Sequence, residues 1–119
     1  MSVKDILISV LETFCPDDVY LQGTLNPANA YPQKFITFFV SDTSDLEHFD
    51  DSLIATRWDL SVIFYSNNPV EVNTIPAQIA AAMKQAGFIQ QGKGNDIAVD
   101  RALCTGWAMD FIYRENENQ

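Results

Sequence analysis

Residues 56–65, TRWDLSVIFY, constrain this chain more than any other stretch. Read with period two, Trp58, Leu60, Val62 and Phe64 share one face. Arg57, Asp59, Ser61, Ile63 and Tyr65 share the other. Such alternation, rich in β-branched and aromatic side chains, specifies a sheet strand. Its second face is only half polar, because it ends in Ile63 and Tyr65. A chain of 119 residues has few elements to spare for covering a second face. Whether the same chain or another copy shelters that face decides what the protein does.

Around this strand the pattern predicts the order α-β-β-β-α-β-β. Val3, Ile6, Leu7, Val10, Leu11 and Phe14 lie on one stripe of an amphipathic helix. Ser2 and Asp5 are spaced for a capping box, and Pro16 ends the helix. Val19, Tyr20, Leu21 and Gln22 form a short strand closed by Gly23. A turn-rich loop with two prolines follows over residues 26–32. FITFFV, at 35–40, is large and apolar on both faces, which suits a strand covered on both sides. Residues 41–52, SDTSDLEHFDDS, gather Asp42, Asp45, Glu47, Asp50 and Asp51 and read as an exposed connection between strands.

Asn68 caps a second helix with Pro69 in its first turn, and Glu71 is spaced to close a capping box. Val72, Ile75, Ile79, Met83 and Ala86 make its buried stripe, and Gly87 stops it. Pro76 inside this span implies a kink or a restart. Phe88, Ile89 and Gln90 form a short strand, and residues 92–96 a flexible turn. TGWAMDFIYR, at 105–114, is the last strand. It places Trp107, Met109, Phe111 and Tyr113 on one face. The expected fold is α+β: a two-layer sandwich of a mostly antiparallel mixed sheet with two helices on one face. The helices should cover the faces bearing Trp58 and Trp107. The opposite face, with Ile63, Tyr65 and Ile112 beside Asp59, Asp110, Arg57 and Arg114, is apolar enough to suggest self-association.

The totals fit one domain over residues 1–119. Net charge is −9, from 16 acidic and 7 basic residues. That balance argues against binding a nucleic-acid backbone, which wants a basic stripe. The longest apolar run falls short of the ~20 residues of a membrane span, and the N-terminus lacks a signal-peptide pattern, so a cytoplasmic protein is expected. Cys15 and Cys104 lack metal-ligand spacing and read as reduced thiols.

Chemistry finds little purchase. His48 sits among carboxylates with no nucleophile signature beside it. The acidic stretch lacks EF-hand spacing. Gly92, Lys93 and Gly94 follow no P-loop pattern. Asp59 and Asp110 occupy related strand positions and read as structural ion-pair partners of Arg57 and Arg114. No enzyme, metal or cofactor is expected.

The run VYLQGTLNPANAYPQKFITFFVSDTSDLEHFDD, then WDLSVIFYSNNP, a helix ending AAMKQAGF, then GKG and a closing TGWAMDFIYRE carry a likeness over nearly the whole chain. They resemble small tail proteins of long-tailed bacteriophages and prophages, more narrowly the tail terminator or tail completion family. The resemblance implies a homo-oligomeric, hexameric ring on the end of the tail tube. The ring would stop tube-protein polymerisation and present a surface to the head-tail connector proteins. Assembly in the host cytoplasm and residence in the virion tail follow from the same likeness. Loops on a rigid sheet carry most contacts. The expected protein-contact residues are therefore Asp42, Asp45, Glu47, Asp50, Asp51, Tyr31 and Lys93, with Ile63 and Tyr65 on the second face. A neck or head-tail adaptor, a minor capsid protein and a monomeric acidic DNA mimic are the competing readings.

Overall fold

Seven elements form in the expected order: α1 (Val3–Leu11), β1 (Val19–Leu21), β2 (Lys34–Leu46), β3 (Ala55–Ser66), α2 (Pro69–Gln85), β4 (Ile89–Ala98) and β5 (Thr105–Asn116). The computed structural model describes residues 2–21, 34–46, 55–98 and 105–116. The strands make one sheet in the order β1-β2-β3-β5-β4. Among the described residues the β1–β2 pair is parallel and the β2–β3, β3–β5 and β4–β5 pairs are antiparallel. Both helices pack on the same face, so the fold is an α+β two-layer sandwich.

α1 begins as its sequence dictates. The Asp5 amide donates to Ser2 Oγ at 3.1 Å, and the Ser2 amide donates to Asp5 Oδ2 at 3.2 Å. Two orphan amides are thereby satisfied reciprocally. The Ser2 bonds favour the ionised Asp5 carboxyl and hold its pKa below the ordinary value. α2 starts with Asn68 Oδ1 accepting from the Val70 amide at 3.0 Å. Glu71 does not close a capping box there. It turns instead to Ser66, whose Oγ donates to Glu71 Oε1 at 3.0 Å, and to Lys34 at 3.7 Å. The helix runs unbroken through Pro76, which is buried in the layer between helix and sheet. Burial of the ring offsets part of the missing amide's cost. Gly87, at φ 102°, stops the helix in the left-handed region.

The core is a ladder of facing strand positions. Phe64 lies between Ile36 and Trp107, Val62 between Phe38 and Met109, and Leu60 between Val40 and Phe111. Val3, Leu7 and Leu11 of α1 and Val72, Ile79 and Met83 of α2 close over this ladder. The face chosen from the sequence is the face the helices cover.

Two segments depart from expectation. Residues 41–46 continue β2 rather than forming a connection: Thr43 pairs with Trp58, Ser44 with Arg57 and Asp45 with Thr56. A register shift between Val40 and Asp42 marks where the strand leaves the body. Residues 92–96 likewise belong to β4. Residues 92–94 form a bulge between Gln91, which faces Asp110, and Asn95, which faces Ala108. Positive φ at Gly92 and Gly94 makes that bulge possible.

Candidate functional site

Three surfaces are candidates: the face of the sheet away from the helices, the projecting strands, and the seam beside β4.

The first divides into two halves along the strands. At the end near Lys34, Phe35 faces Tyr65, Thr37 faces Ile63, and Tyr65 in turn faces Gly106. The Phe35 and Tyr65 rings stack with centroids 4.7 Å apart. Phe35, Thr37 and Ile63 are 4%, 7% and 6% exposed. Ile63 is therefore not an open contact, contrary to the sequence expectation. The chain itself buries it, and Tyr65 is half-buried beside it. At the opposite end the face is polar and open. Asp42, Arg57, Asp59 and Asp110 line a shallow groove of about 420 Å³. Arg57 Nε donates to Asp59 Oδ1 at 3.1 Å, and Ser61 Oγ donates to Asp110 Oδ1 at 2.7 Å. Asp59 thus pairs along its own strand, and Asp110 is held by a hydroxyl rather than by the expected arginine. Each of the two carboxylates thus has a neighbour at hydrogen-bond distance on the sheet face itself. Among the described residues, no group of three metal-ligating side chains is placed to hold an ion.

The second surface is an arm. Ser41, Asp42, Thr43 and Ser44 are all exposed, so neither face of β2 is covered there. β3 spans 12 residues, about 40 Å of extended chain, whereas the 17 residues of α2 span about 26 Å. The sheet therefore outreaches its helical layer. Trp58 Nε1 donates to Glu115 Oε1 at 3.2 Å and ties β3 to β5 within the arm. Asp42 is exposed here, and Asp45 stands opposite Thr56. Tyr31, Glu47, Asp50 and Asp51 lie outside the described residues, as does His48.

The third surface contains Lys93. Its side chain is exposed on the β4 bulge, and its carbonyl accepts from Trp107 Nε1 at 3.1 Å. Lys93 was legible from the sequence as a turn residue; the groove beside it was not. That groove is built from α2, β4 and β5, and its only sequence signal is the run of alanines at 77, 80 and 81.

The sequence matches no family model and no curated protein. Among solved structures, it is similar to a chain of the virion of a native gene transfer agent particle. The TM-score is 0.62 at 12% identity, over 97% of this chain and 95% of that one. The two chains share a fold nearly end to end. Among the described residues, no helix is long and apolar enough to cross a membrane.

Cys15 is chemically quiet. It is 1% exposed, and burial pushes its thiol up to about 11 from the ordinary 9.0, against the pull of Lys34. Two pKa units mean about a hundredfold less thiolate at pH 8. Iodoacetamide at pH 8 should therefore label Cys15 at least that much more slowly in native protein than in urea, as read by peptide mass mapping. Equal rates would show the thiol to be open. A raised thiol pKa contributes stability below pH 9, and that contribution fades as pH climbs towards 11.

Proposed function

We propose that this protein is a structural component of a phage-like virion, and within it a tail terminator. The 119 residues act as one domain that assembles into a ring on the tail tube, ends tube growth and offers the head-joining surface. The observation that carries this reading is the fold shared over 97% of this chain with a virion chain of a gene transfer agent. The acidic balance agrees with this reading: −9 per copy would discourage DNA from adhering to a surrounding ring. Copies would meet through the arm bearing Asp42 and Asp45 and through the region of Lys93, because the apolar half of the far sheet face is already covered. Assembly in the host cytoplasm and residence in the virion tail belong to the same proposal.

The test is polymerisation of the cognate tube protein with and without this protein, with tube lengths measured by negative-stain microscopy. A stoichiometric ring should shorten and narrow the length distribution, with density at one tube end. An unchanged distribution with bare ends would reject end-capping.

A further inference from the structure

Along the seam between α2 and β4 runs a groove, about 460 Å³ at its larger end. Pro76, Ala77 and Ala80 form the helix wall, and Trp107 and Met109 the floor. It continues past Ala80 and Gln90 to Phe88 and Ile89, where Ile89 is 64% exposed. The small side chains of α2 leave this space open, and its walls are mostly apolar, with the uncharged Asn73 and Gln90 among them. Its charges are unlike those of the rest of the molecule. Lys93 stands at one end and Lys84 at the other, and among the described residues no carboxylate lines it. In a chain with 16 acidic and 7 basic residues, an acid-free groove with a lysine at each end is a selective feature. A segment that fits it carries apolar side chains between carboxylates.

The chain itself contains such a segment. From Asp42 to Asp51 its sequence interleaves five carboxylates with Leu46 and Phe49. It begins on the exposed end of β2, where the sheet outreaches the helices. We infer that the groove between α2 and β4 receives the acidic arm of a second copy. This rests on the ring reading above and names the surfaces that join its subunits. Groove and arm are different patches of the same chain, so the contact is heterologous. It repeats from copy to copy until the rotation closes. The arm lies across the groove floor at Trp107, and the lysines meet its carboxylates at either end. The lysines set register and encounter rate more than affinity.

Sedimentation velocity of the full chain tests this with charge swaps. The variant carrying K84E and K93E, and the variant carrying D42K and D45K, should each weaken association about tenfold or more. The four changes together should restore it to within about threefold of wild type. Ala77→Phe fills the groove without altering charge and should weaken association with no rescue from the arm variant. Circular dichroism checks that each variant is folded. If wild type assembles and the lysine and Ala77 variants assemble equally well, the groove is not the joint, although the ring reading stands. If those variants assemble normally but no longer shorten tubes, the groove takes the tube protein and the inference fails. A wild-type chain that stays monomeric at every concentration overturns both readings.

Discussion

Phe64→Ala is expected to lower the free energy of unfolding by about 3–5 kcal/mol. Phe64 is fully buried on β3, flanked by Ile36 and Trp107 in the neighbouring strands and covered by the helical layer. Because β3 is the central strand of five, a void there is walled by sheet on both sides and cannot collapse by shifting an edge. The loss combines the removed transfer energy of the ring with the lost contacts around the cavity. For a domain holding about 5–15 kcal/mol in total, that is a third or more of its stability. Urea denaturation should show the midpoint fall with the slope unchanged. Val70→Ala, at a side chain 66% exposed, should move stability by less than about 0.5 kcal/mol. A Phe64→Ala loss below about 1 kcal/mol would mean that the helices do not close over β3.

Much of this architecture was written in local pattern. Period two in 56–65 and 105–114 picked the face under the helices, and the caps at Ser2 and Asn68 and the stop at Gly87 marked the helix bounds. What was not legible depends on partners distant in the chain. Residues 41–46 have a loop composition, and they are strand because Trp58, Arg57 and Thr56 supply the pairing. Gly92 and Gly94 have a turn composition, and β5 holds them in a bulge. Ile63 belongs by sequence to a half-open face, yet it is buried together with its cross-strand partner Thr37 and with Phe35. The contact residues divide the same way. Asp42 and Lys93 could be named as exposed charges, whereas the groove beside Lys93 needs Pro76 and Trp107, 31 positions apart, brought together by the sheet.

Gly94→Ala is the second large effect, expected at about 3–4 kcal/mol of lost stability. Two independent costs add. At φ 97° an alanine is held in a backbone region that side chains disfavour, worth about 1–2 kcal/mol. Its Cβ would also overlap Trp107 Nε1 and lie 2.5 Å from the Ala108 carbonyl oxygen. The backbone oxygen cannot yield, and Trp107 is tethered by its bond to the Lys93 carbonyl. Gly92 separates the two costs. It has a positive φ of 70° but open space around the missing Cβ, so Gly92→Ala should cost only the conformational part. The difference between the two variants, measured by urea denaturation, isolates the collision with Trp107. Since Trp107 floors the groove, Gly94→Ala should also shift its fluorescence, while Gly92→Ala should leave it unchanged. Equal losses in the two variants would mean that the bulge does not press against Trp107 and that the groove floor is not fixed by β4.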